Sequence, residues 1–233
     1  MIPAHSRLLT GAGSLLLFSL LLVLGCGGGL ETQARMFRHF GQAHRIQTAA
    51  VFGRLDAARE AARRLASSGP IAGLPSGSDS YVRELHDAAE AVMNAESPDR
   101  LPFLAAEVAD RCGDCHAAYE VGPAFGIGRV AEATDVRGHM AVHSWASERM
   151  WEALISRNEE VWLAGAEALS GQPIDPDEFV PMVEDRGAAF LLSSRAHYLA
   201  ESSVELRGWE ERSGLLSRLT STCQECHSLS GVR

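Results

Sequence analysis

The chain has 233 residues, 46% of them hydrophobic and 6% aromatic, enough to bury a core in one or two domains. A formal net charge of −9 and a pI near 5.5 leave no basic stripe of the kind that neutralises phosphates, which excludes nucleic acid as a partner. Gly and Pro cluster between alternating stretches instead of spreading through them, so an all-α fold is expected.

Residues 1–25 read as a signal peptide of the lipoprotein type. His5 and Arg7 precede an apolar run from Leu15 to Leu24, shorter than a membrane-spanning helix needs. Val23-Leu24-Gly25-Cys26 resembles the bacterial lipobox, in which cleavage leaves the cysteine at the new N-terminus for acylation. Cys26 is also the odd cysteine among five, the other four falling into two pairs. Residues 26–30 would then be a tether, and several acyl chains would make anchoring to a lipid membrane stable.

Beyond the tether the chain repeats itself. Met36 matches Met140, His39 matches His143 and Arg45 matches Arg149, and the register continues through Ala49 with Ala153, Ala62 with Ala166 and Leu65 with Leu169. Two units follow, over 31–120 and 134–233, joined by a Gly/Pro-marked linker at 121–133. In the first unit, the segment from Glu31 to Ser67 is longer than most globular helices, so it should fold back near Gly53-Arg54-Leu55-Asp56, matched by Arg157 to Glu160. Helices are expected next from about Asp79 to Glu96 and from Asp99, a suitable N-cap, to the cysteines. In the second unit the matching breaks fall after Ser170 and around Gly208. A four-helix bundle per unit is the simplest closed solution.

Each unit ends in Cys-x-x-Cys-His: Cys112, Cys115 and His116, then Cys223, Cys226 and His227. Thiols one helical turn apart can each add to one of haem's two vinyl groups, and the next residue brings a nitrogen beneath the iron. A shared zinc site would need pairs far closer in sequence, a thioredoxin-like pair would need a βαβ setting, and structural disulfides would not explain a His after each pair. Two covalently bound haem c groups are the expected cofactors.

A helical unit with this motif at the extreme end of its last helix resembles the class II c-type cytochromes, the cytochrome c′ family, here as two units in tandem over nearly all of residues 31–233. The resemblance implies a haem held inside each bundle at one end, with His116 and His227 as proximal ligands. It places the distal site on Met36 and Met140, with His39 and His143 as alternatives. Helical geometry permits this: Met36, Phe40, Ala43, Gln47 and Ala50 share one stripe, with His39 at its edge. Core packing is the plain reading of the methionines. His44, His86, His139 and His197 are unpaired between the two copies and are expected at the surface or satisfied in the core. Arg45 and Arg149 are expected in solvent.

The expected function is that of an exported, lipid-anchored protein, periplasmic or on the outer surface, that serves redox partner proteins as an electron carrier rather than an enzyme. A gas-binding or sensing module with an open distal site and a small di-haem peroxidase are the alternatives. A peroxidase would need an asymmetric pair of sites, which the matched Met-x-x-His speaks against. The family also pairs through its first helices, so the alternatives are a homodimer or the same contact made inside one chain.

Overall fold

In a computed structural model of the chain, residues 27–231 are described except 70, 72, 131, 132, 172 and 180–182. The signal segment and Cys26 lie outside the described residues.

All regular structure among the described residues is helical. The helices are α1 (Gly27–Val51), α2 (Leu55–Ala66), α3 (Asp79–Met93), α4 (Leu101–Ala118), α5 (Val136–Ser156), α6 (Glu159–Leu169), α7 (Arg186–Ser203) and α8 (Trp209–Leu229). Helical turns of the 3₁₀ type at Pro98–Arg100 and Pro176–Phe179 lead towards α4 and α7. Asp99, expected as an N-cap, lies within the first of these turns, and Ser97 caps it in extended conformation. The described glycines expected as tether, Gly27 to Gly29, are helical and belong to α1.

The long first segment does fold back where its register predicts. Gly53 turns with φ 63° between α1 and α2, and Arg157 makes the same turn with φ 52° between α5 and α6. A left-handed residue is the usual end of a helix, and glycine adopts it without the steric cost that a side chain brings. Arg157 bears that cost of about 1–2 kcal/mol and is held by ion pairs described below. Asn158 then caps α6, its side-chain oxygen accepting from the Val161 amide.

Consecutive helices pack side by side within 31–120 and again within 134–233. The two halves are not separate cores. One hydrophobic cluster runs from Ala43 and Ile46 of α1 through Leu104 and Val108 of α4 to Met150, Trp151, Leu154 of α5 and Leu215, Leu216, Leu219 of α8. Helix α4 lies along both α5 and α8, so the two motif-bearing helices are direct neighbours at the centre of the molecule.

Which face of α1 enters this core differs from the sequence expectation. His39, Ala43, Ile46, Gln47, Ala49 and Ala50 are buried, while Met36 and Phe40 are half-buried. At about 100° per residue, the buried stripe is turned about 50° from the expected one, which moves His39 from its edge to near its centre. Phe40 is drawn sideways against Phe125 and Trp151, with ring centroids 5.5 and 5.6 Å away.

Candidate functional site

Helix α4 carries Cys112, Cys115 and His116 on one face, within an arc of about 100°, and α8 carries Cys223, Cys226 and His227 in the same way. All four cysteines are free thiols. Burial pushes Cys112 and Cys223 up to about 12 and raises Cys115 and Cys226, so each pair is neutral. An open groove of about 730 Å³, lined by Phe52, Gly53, Pro98, Gln224 and Ser228, lies on another side of α8. Its α8 residues face roughly half a turn away from Cys223, Cys226 and His227.

Each motif histidine is held by a backbone carbonyl from the opposite half. His116 Nδ1 is 2.7 Å from the Ile155 oxygen, and His227 Nδ1 is 3.2 Å from the Val51 oxygen. A carbonyl can only accept, so Nδ1 carries the hydrogen and Nε2 is left as the electron-pair donor. Val51 and Ile155 occupy equivalent positions in the repeat, at the ends of α1 and α5. The chain thus makes the same contact twice, reciprocally. Burial lowers both imidazoles below the ordinary 6.5, partly offset by these carbonyls, which keeps them neutral.

Packing at the two contacts is complementary in size. Beside motif 1, Gly113 lets α4 approach α5 so closely that an added Cβ would stand 2.2 Å from the Leu154 oxygen and 2.6 Å from Arg157 Nε. Beside motif 2, the equivalent of Gly113 is Gln224 and the equivalent of Arg157 is Gly53. A Cβ on Gly53 would lie 3.1 Å from Gln224 Nε2, which donates to the Pro98 oxygen at 3.0 Å. Each contact therefore pairs one glycine with one large side chain, on opposite partners.

The charges do not match. Arg157 pairs with Asp110 at 2.7 Å and with Asp114 at 2.5 Å, and it also donates to the Asp110 carbonyl. Arg111 joins Asp114 at 3.3 Å and Glu84 at 3.8 Å. Among the described residues motif 2 has only the half-exposed Arg195–Glu225 pair at 3.5 Å, and His227 stacks on Phe52 at 4.7 Å.

The distal candidates separate. Met140 packs with Val136, Ile174, Val183 and Ala189 in a small apolar cluster apart from the main core, and Met36 is half-buried. His39 is 8% exposed with its Nε2 buried and unpartnered. His143 Nε2 meets His197 Nε2 at 3.2 Å. Arg45 is exposed as expected; Arg149 is half-buried, pairing with Glu152 at 2.7 Å and donating to the Gly126 oxygen at 2.7 Å.

Sequence reasoning missed one match. The second copy has a longer middle, so its later helices are offset by seven residues more than its first, and at that longer offset His86 falls on His197. Applying the motifs' own offset to α3 would have found the pair.

Among the described residues no group of three or more His, Cys, Asp or Glu side chains is assembled as a metal site. The motif residues do fit haem c: two thiols and an imidazole on one helical face, with Nδ1–H donated to a carbonyl and Nε2 left to bind, are the donor set and ring orientation that such a group needs. Comparisons with protein-family models, characterised proteins and solved structures return no match for this chain.

Proposed function

We propose that the chain is a di-haem c-type cytochrome that carries electrons, built as two matched halves resembling class II cytochromes c. The observation that carries this reading is the reciprocal anchoring of His116 and His227, each with Nδ1 on a helix-end carbonyl at an equivalent position of the repeat. An ordinary surface histidine has no need of a fixed tautomer; a ligand does. Cys112 and Cys115 would hold one haem c, Cys223 and Cys226 the other. The group supplies one-electron chemistry when bound. The chain's part is to fix the imidazoles, keep water from the buried face of α4 and α8, and bring the two motif helices together.

The unequal charges around Arg157 and Gly53 suit two haems of different potential, which gives a relay a direction. Met36 and Met140, or His39 and His143, remain the distal candidates of this reading. Export and lipid anchoring through Cys26 complete the proposal; no helix among the described residues is long and apolar enough to cross a membrane. Redox partner proteins would meet the molecule from outside.

The test is the mass of protein matured in a host that attaches haem. Two porphyrin adducts are expected, with one lost in Cys112→Ala/Cys115→Ala and the other in Cys223→Ala/Cys226→Ala. A wild-type chain with neither adduct refutes the reading. Cys26→Ser should move the protein from the membrane to the soluble fraction.

A further inference from the structure

Four histidines that the motif chemistry leaves unused are matched between the halves. His39 corresponds to His143 on the first helix of each half and His86 to His197 on the third. In the second half the two rings point their Nε2 atoms at one spot, 3.2 Å apart. In the first half both His39 Nε2 and His86 Nε2 are buried without a partner. Leaving one such nitrogen unmade costs about 1–3 kcal/mol, so two in one half call for an occupant.

Both pairs lie level with the motifs. Arg195, two residues before His197, bridges directly to Glu225 inside motif 2. The equivalent Glu84, two residues before His86, bridges to Arg111, which precedes Cys112. Meanwhile Met140 is committed to its apolar cluster.

We propose that the iron of each haem takes its sixth ligand from these histidine pairs, His39 or His86 in the first half and His143 or His197 in the second, and not from Met36 or Met140. The proposal rests on the haem reading above. Nitrogen on both sides saturates the iron, closes it to carbon monoxide and lowers its potential relative to a Met/His pair. That favours electron transfer over gas binding or peroxide chemistry.

The experiment uses the full chain, loaded with haem and counted by mass. First, the near-infrared charge-transfer band of the oxidised wild type distinguishes two nitrogens from nitrogen and sulfur without any substitution. Nitrogen–nitrogen ligation in both haems is expected; a sulfur ligand or an open site overturns the proposal. Second, the ferrous protein is titrated with carbon monoxide. His39→Ala/His86→Ala and His143→Ala/His197→Ala should each open one haem of the two, while Met36→Ala/Met140→Ala should behave as wild type. Opening by the methionine variant alone overturns the proposal with the haem count intact. Loss of both porphyrin masses would instead sink the haem reading itself.

Discussion

Replacing Gly113 by Ala tests the tightest glycine contact among the described residues. In an open helical position the change gains about 0.5–1 kcal/mol, because alanine loses less backbone freedom than glycine. Gly41 of α1 and Gly214 of α8 are such positions, with nothing within 4 Å of an added Cβ. At Gly113 the methyl would sit 2.2 Å from the Leu154 carbonyl oxygen, a backbone atom that cannot rotate aside. Helix α4 would have to retreat from α5, taking His116 off the Ile155 oxygen. Overpacking of this kind costs about 1–3 kcal/mol, enough to exceed the helical gain. For a chain of this size, each kcal/mol moves Tm by about 2–4 °C. Thermal unfolding of the protein should therefore show Gly113→Ala melting several degrees below wild type, with Gly41→Ala and Gly214→Ala at or slightly above it. If Gly113→Ala were as stable as those two controls, the reasoning about the α4–α5 contact would fail.

Three further outcomes follow from the same geometry. Gly113→Gln and Arg157→Gly should each destabilise, yet the double variant copies the Gln224–Gly53 contact. Its loss should fall short of the sum by at least about 1 kcal/mol in a urea double-mutant cycle; simple additivity would refute the size exchange. Glu152 is raised by burial from its ordinary 4.5 to about 7 despite Arg149, so the fold holds a proton that the unfolded chain releases, and stability is lost as pH climbs from 4.5 to about 7. Glu152→Gln should gain on wild type across that window and hold a constant lead above it, read as the urea midpoint against pH. Arg212, 1% exposed, donates to the Leu206 oxygen and Glu159 and lies between Trp162 and Trp209. Arg212→Ala should cost about 2–4 kcal/mol, and Arg212→Lys should recover less than half by equilibrium unfolding, since an ammonium lacks the planar fork.

Much of the helical order was legible because it depends on local signals. The fold-back at Gly53, its copy at Arg157, and the breaks after Ser170 and at Gly208 all follow from punctuation and register. The buried face of α1 was harder to read. Its sequence offers two overlapping apolar stripes, and the choice between Met36 with Phe40 and His39 with Ile46 is made by neighbours, Phe125 and Trp151 holding Phe40 at the rim. A polar residue gives no hydropathic signal for burial, so His39 was placed at an edge. His86 and His197 were missed for a different reason: the insertion between α6 and α7 changes the offset partway through the repeat, and a single register hides the match.

The partner of each motif histidine could not be read from the sequence at all. Whether His116 meets the end of α1 or of α5 is a question of tertiary packing between two nearly equivalent surfaces, and local propensity is the same in both cases. The exchanged glycines help decide it. Gly113 admits a helix end that carries a large residue, which Arg157 provides and Gly53 does not; Gln224 needs a helix end with a gap, which Gly53 provides and Arg157 does not. Pairing within a half would set Gly113 against Gly53, leaving a void, and Gln224 against Arg157, a collision. Shape thus selects the reciprocal pairing over the internal one. It has a further consequence for the proposed relay: α1 carries His39 of one distal pair and the carbonyl that fixes the other half's proximal histidine, and α5 does the converse. A shift of either helix would therefore act on both irons.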